Sequence, residues 1–509
     1  MQETKPVIPP PVTLPIPKPA QYIVYWIAGL SLCLGIIGNN LLRAKPLGIN
    51  ISIFVVLLCL VIAWGWRRHK EYAPCWGLLC LAVVFGLCLA WRDSSVLCSL
   101  NLITIIILLM VLGMRPAYKT LYTGTLASIM TSVIRQIGPT LCSPLILLVH
   151  DIDWSLVKIP SGSIHKRFMR SLMLAIPILL IFTWLFAAAD AVFQHGVNTI
   201  ISNISNIIIN SHELTMHILF SLLFSLMAAM ALRPITLGDV FEPVRKIPPK
   251  KYIPGKIELT VVMGSILILF ITFIVIQFRY LFGGHTLVQS IPGLTYADYA
   301  RKGFFALLAV VTIVHLILMV GLWLVESTNA RTKILFRQLS LALAVLCIFI
   351  FVSAFFRMSL YIKAYGLTQL RFYATAILIW LAAAFLLSTA KCLLPGWSFF
   401  TGAYIYSLLV MLLIINIVNP DGLIARINLD RYVTRKKLDT AYLETLSTDA
   451  VPVIMCYQKQ FTPKESRILV NNIIKKRITS KTDWRCWNYS RIKTKKLGIA
   501  VGTEIQNQE

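Results

Sequence analysis

Charge is what this sequence has least of. Asp, Glu, Lys and Arg make up 14% of its 509 residues, and the two acids together number only 21. A soluble domain ordinarily carries about 25% charged residues. With 57% hydrophobic residues and a mean hydropathy of +0.76, a soluble fold would have to expose apolar patches large enough to drive aggregation. That balance excludes a cytosolic enzyme, a disordered chain and a small secreted disulfide scaffold. What remains is a polytopic membrane protein, an all-α bundle of transmembrane helices.

Catalytic and cofactor signatures are also missing. The sequence holds no Walker A, GxGxxG or GxSxG pattern, no catalytic-cysteine signature, and no histidine followed five residues later by aspartate. Its eleven cysteines include no CxxC pair, so neither a zinc site nor a thioredoxin-like centre is indicated. Nine of them lie in or beside apolar segments, where free cysteine behaves as a small hydrophobe. Cys456 and Cys486 lie in the tail, and spacing alone leaves their pairing open. His212-Glu213-Leu214-Thr215-Met216-His217 resembles a zincin motif, but its histidines are five apart and diverge by about 140° around a helix. No metal or cofactor is expected.

Positive charge is in excess. Lys and Arg total 48, for a net charge of +27. The aromatic-interleaved basic runs of RNA-binding proteins are absent, so nucleic acid is not an expected partner. Membrane proteins collect Lys and Arg at helix ends and in cytoplasmic loops, beside anionic lipid.

Residues 1–20 hold seven prolines and read as a Pro-rich, unstructured lead. A bilayer needs about 20 apolar residues per helix, and eleven segments meet that need: 21–38, 48–66, 75–91, 95–113, 171–193, 215–232, 258–281, 303–325, 338–360, 371–389 and 398–418. The chain thus divides into a first group of four helices (21–113), an amphipathic interfacial loop (114–170), a seven-helix part (171–418) and a basic C-terminal region (419–509). With the N-terminus inside, the inward loops carry 20 Lys and Arg against 9 outward, the asymmetry of the positive-inside rule. An odd span count places the tail outside. Its own 17 Lys and Arg argue against that placement. The tail is expected either to form one small domain or to pack onto the membrane part.

Ionisable residues in apolar segments are costly and mark candidate sites. Asp190 closes the fifth segment and His315 lies inside the eighth. Asn101, Gln277 and Asn416 read as interhelical hydrogen-bond partners. Three boundary stretches mix Tyr, Arg and Gly: Gln277–Gly284 with Tyr296–Phe305, then Arg357–Arg371, then Asn419–Arg431. The loops after segments five, seven, nine and eleven must share one face. Parity therefore gathers Asp190, Gln277, Asp298, Arg301, Arg357, Tyr361, Arg371 and Asp421 at one surface, as a bracing charge network or an anion site built on arginine.

The YLFGG turn (Tyr280–Gly284), YADYARKGFF (Tyr296–Phe305), SAFFRMSLY into YGLTQLR (Ser353–Arg371) and NPDGLIARINLDR (Asn419–Arg431) resemble a bacterial polytopic membrane family. It is catalogued as domain of unknown function four-one-seven-three, related to four-one-five-three. FAAADAVF (Phe186–Phe193), DAVPVI (Asp449–Ile454) and DWRCWNYSR (Asp483–Arg491) belong to the same likeness, although Ala189 and Ala191 stand where such proteins often carry serine and proline. The resemblance implies a bacterial cytoplasmic-membrane protein and transfers no activity. The expected role is non-enzymatic: binding or sensing a lipid headgroup or small anion, with membrane lipids as partners. The alternatives are a membrane enzyme on lipid-linked or envelope substrates, with Asp190 or Asp298 as acid or base, and a transporter.

Overall fold

The computed structural model describes residues 21–44, 46–68, 76–113, 126–154, 163–190, 192–199, 212–237, 255–282, 296–325, 328–394, 396–435, 438–461 and 483–506. Over these the chain is helical, with no strand among the described residues. The principal helices are α1 (Gln21–Leu42), α2 (Ile49–Arg68), α3 (Trp76–Trp91), α4 (Ser95–Gly113), α5 (Leu126–Ile146), α6 (Ser163–Ala189), α7 (His212–Leu237), α8 (Lys256–Phe282), α9 (Tyr296–Val325), α10 (Ala330–Tyr365), α11 (Gln369–Leu393) and α12 (Phe400–Val418). The tail adds α13 (Pro420–Arg435), α14 (Thr440–Thr445), α15 (Val451–Cys456) and α16 (Tyr489–Gln506).

Among the described residues nine helices are long and apolar enough to cross a membrane: α1, α2, α4 and α7 to α12. The third and fifth expected segments reappear as shorter apolar stretches, α3 and Ile178–Ala189 within α6. Sixteen residues of α3 reach about 24 Å, short of a hydrocarbon core of about 30 Å. At 36 residues, α10 is about 54 Å long, well beyond a hydrocarbon core of about 30 Å.

Two apolar cores form side by side. One joins α1 to α4 with α7 and the turn after α5, around Ile62, Phe85 and Leu232. The other joins α8 to α11 around Phe304, Leu343 and Ile350. Leu97, Ala376 and Ile415 connect them through α4, α11 and α12. Large apolar side chains such as Leu269, Val352 and Leu386 stay exposed around the bundle, a surface suited to lipid rather than water. In lipid, helices associate through close packing and hydrogen bonds more than through hydrophobic burial. Gly35 shows the first: a Cβ there would stand 2.4 Å from the Ser221 carbonyl oxygen and 2.7 Å from the Ser225 nitrogen, so α1 lies directly on the α7 backbone.

The 114–170 stretch holds more than an interfacial loop. Its helix α5 packs along α4 and α7, and the π turn that follows (Leu147–Asp151) buries Leu147 and Asp151. Asp151 receives Arg233 of α7 at 2.7 Å, both side chains 2% exposed. Residues 194–214, which contain no Lys or Arg and alternate Ile with Asn and Ser in a pattern that suits a surface helix, are described only over 194–199 and 212–214.

Candidate functional site

The ends of α1, α3, α10 and α12 meet the tail at one end of the bundle. The Asn-Pro-Asp-Gly sequence makes the α12–α13 corner. Asn419 takes the left-handed conformation at φ 57°, which asparagine tolerates better than most residues. Its Oδ1 accepts from the Gly422 N–H at 3.1 Å. Pro420 opens α13, where a missing N–H costs nothing. Asp421 follows in the first turn, its charge favoured by the helix dipole. It is wholly buried, accepting from Gln369 Nε2 at 2.8 Å and the Ser447 N–H at 3.1 Å.

A second corner joins α10 to α11. Gly366 sits at φ +80°, and a Cβ on it would lie 2.4 Å from Asn428 Oδ1. Asn428 bonds both the N–H and the carbonyl of Leu367, each at 2.8 Å, and so pins this turn to α13. Arg371 stacks over Tyr361 at 4.0 Å and donates to the Gly366 carbonyl. Tyr442 of α14 accepts from the Gln369 N–H at 2.8 Å, and burial pushes its phenol up, with Asp421 and Arg371 both acting on it.

Asp449 is the hub beneath the tail. Its Oδ2 accepts from the Asp93 and Ser94 N–H groups at 2.8 and 3.0 Å and from the Ser447 hydroxyl at 3.2 Å. Ser490 donates to its other oxygen, and Arg92 stands 3.8 Å away. Desolvation pushes the Asp449 carboxyl up, against those donors, and lowers Arg92 for the same reason. Arg92 also caps α12, donating to the Asn416 and Ile417 carbonyls at 2.7 and 3.0 Å, where a helix dipole favours a cation. Asn488 donates to the Leu89 and Arg92 carbonyls at 3.1 and 2.9 Å. Arg491 pairs with Asp93 at 2.5 Å, and the Thr448 hydroxyl donates to that same carboxylate at 2.7 Å. Beside this network opens a cleft of ≈ 490 Å³. Asp93, Gln369, Asp421, Trp484, Arg491 and Lys495 are among the residues that line it.

The family model described as Domain of unknown function (DUF4153) matches residues 79–456. The chain belongs to that family. No curated protein and no solved structure matches it. The DUF4153 match corrects the family number expected from the motifs, since it names the related family. It spans Arg92, Asp93, Asp421 and Asp449 and ends before Asn488, Ser490 and Arg491, so in this DUF4153 chain the hub is completed by a segment beyond the match.

The structure describes the side chains of six of the eight expected site residues. Tyr361 and Arg371 are stacked together, and Asp421 joins their turn through Gln369. Arg357 is buried one turn before Tyr361, its guanidinium where a Cβ on Gly303 would fall. Arg301 is exposed near the start of α9. Asp190 is exposed and accepts from the Val192 and Phe193 N–H groups at 2.7 and 2.9 Å, a local turn role. The side chains of Gln277 and Asp298 lie outside the described residues. His315 is buried in the second core, its Nε2 3.0 Å from the Tyr404 hydroxyl and its ring stacked on that tyrosine. His217 Nδ1 lies 2.8 Å from Asn39 Nδ2, tying α7 to α1. Cys456 is exposed and Cys486 buried, both as free thiols.

Sequence reasoning gave no site role to Arg92, Asp93 or Asp449, although Asp449 heads the DAVPVI motif. One signal was present. Trp91-Arg92-Asp93-Ser94 places two opposite charges in a turn only three residues long between two apolar helices, following an odd-numbered segment.

Proposed function

We propose that this membrane protein binds the polar headgroup of a lipid, or a small anion of the same chemistry, in the cleft between bundle end and tail. It would act as a receptor or sensor in a bacterial cytoplasmic membrane. The observation that carries this reading is the cleft itself, which has the size of a small-molecule pocket and Lys495 exposed on its wall. Lys495 has no ion-pair partner among the described residues, so its charge is available to a phosphate. Trp484 and Trp487, 66% and 41% exposed, sit at the same cleft, and tryptophan favours the headgroup layer.

The test is titration of the purified full chain in detergent with dihexanoyl phosphatidylglycerol and, as the uncharged control, dihexanoylglycerol. The phospholipid should bind more tightly, and Lys495→Ala should weaken it about twofold to fivefold, the worth of one solvent-exposed ion pair. Equal binding of the two lipids, or an unchanged affinity in the variant, would refute the reading.

A further inference from the structure

We infer that the headgroup is a phosphate diester bearing a hydroxyl-rich group, such as a polyol or sugar ring. This rests on the headgroup reading of the cleft and narrows it to one chemical class.

The charge balance of the lining sets the first limit. Asp93 is neutralised by Arg491, and Asp483 by Arg485, whose Nε lies 2.7 Å from it. Asp421 is fully buried, with each oxygen held by an N–H donor. Lys495 is the exposed lining charge without an ion-pair partner among the described residues, whereas the buried Asp421 carboxylate is held by the neutral Gln369 and Ser447 donors. One cation suits one negative charge, as on a diester, and does not suit a polyphosphate. The same balance disfavours an ammonium headgroup such as choline, because no exposed carboxylate of the lining lacks an internal partner.

The neutral part of the lining sets the second. Gln369, Ser95 and Thr445 are among the lining residues; Gln369 gives its Nε2 to Asp421 and Thr445 its hydroxyl proton to the Tyr442 carbonyl at 2.6 Å, leaving both oxygens to accept. Acceptor oxygens beside the Ser95 hydroxyl, which can donate or accept, match alcohols, which do both. Trp484 presents an indole to the cleft while two-thirds exposed. An aromatic face beside hydrogen-bonding side chains fits a ring with polar edges and a C–H face. A bare phosphate has no such face and would leave the tryptophan unused.

The experiment titrates the full chain in detergent with dihexanoyl phosphatidylinositol, dihexanoyl phosphatidic acid and dihexanoyl phosphatidylcholine. The inositol lipid should bind about tenfold more tightly than the other two, ~1.4 kcal/mol, although phosphatidic acid carries the barer phosphate. Trp484→Ala should shrink that advantage about threefold, and Trp484→Phe should restore most of it. Equal affinity for all three lipids, or preference for choline, overturns the hydroxyl-rich class while leaving a headgroup site. Binding of none overturns the headgroup reading as well. Competition by free inositol 1-phosphate supports the class with a soluble solute as its source. Competition by the intact lipid alone supports it with the bilayer as source.

Discussion

Asn101 and Asn416 lie 315 residues apart in the chain and exchange both of their side-chain amide hydrogen bonds, at 2.9 and 3.0 Å. Neither residue has any exposed surface. With no surface open to solvent, an amide deprived of its partner keeps the full desolvation cost. Asn101→Leu should therefore destabilise the bundle by about 1–3 kcal/mol, whereas Asn101→Leu with Asn416→Leu should cost less than the sum of the single changes. Thermal midpoints in detergent around this double-mutant cycle measure the coupling. Strict additivity would mean that the amides do not depend on each other.

The C-terminal segment is held to the bundle by backbone as well as by charge. Ile49 N–H donates to the Trp487 carbonyl at 2.8 Å, and a Cβ on Gly48 would stand 2.4 Å from that same oxygen. Gly48→Ala therefore has to push residues 483–494 away, and Asp93→Ala removes the partner of Arg491. Limited proteolysis should cut both variants in the tail several times faster than wild type, with the α8–α11 core unaffected. Equal cleavage rates would refute the clasp.

How far the sequence disclosed this arrangement can be judged from particular residues. The apolar runs located the helices, because a span needs about 20 such residues whatever else it does. Asn101 and Asn416 were recognisable because an amide in an apolar run needs a partner on another helix. Parity brought Arg357–Arg371 and Asn419–Arg431 to one end, and Gly366, Asn428 and Asp421 do meet there. Asp449 was hidden because its donors come from Asp93, Ser94 and Ser490, and no periodicity links a three-residue turn to a tail hundreds of residues away. Asp190 is the opposite case, its described partners being local. A capping aspartate beside an apolar run reads like an intramembrane charge, yet it serves its own turn.

Asp449 also sets a pH response. Burial raises its carboxyl above the ordinary value of 3.8, so at intermediate pH the folded protein holds a proton that the unfolded chain has lost. Stability from this group is thus fully present below about 3.8 and is lost as pH rises through the folded value, then stays constant. Asp483 shifts the other way, held down by hydrogen bonds from Arg485, and its contribution is lost only as pH falls through its lowered value. Infrared difference spectra on acidification should show a protonated-carboxyl band from Asp449 before one from Asp483. Asp449→Asn should remove the early band, and its persistence would exclude Asp449 as the source.

The far end of the bundle carries its own buried pair. Arg233 meets Asp151 through Nε at 2.7 Å and Nη2 at 3.3 Å, and Gln21 of α1 donates to the Asp151 carbonyl at 3.0 Å. Removing one charge leaves the other stranded, so Asp151→Ala should cost about 3–5 kcal/mol, while Asp151→Leu with Arg233→Met should recover much of that loss. This pair lies where α1 begins, and the tail clasp lies where α1 ends, beside the Asn40 carbonyl that Arg485 reaches. With α1 crossing the membrane, as its length and composition allow, the two networks would face opposite sides. In sealed vesicles of a chain whose native cysteines are replaced by serine, an impermeant maleimide should label Arg43→Cys and Lys495→Cys from one side and Thr328→Cys, before α10, from the other. Labelling Arg43→Cys and Lys495→Cys from different sides would break the shared-end geometry on which the cleft depends.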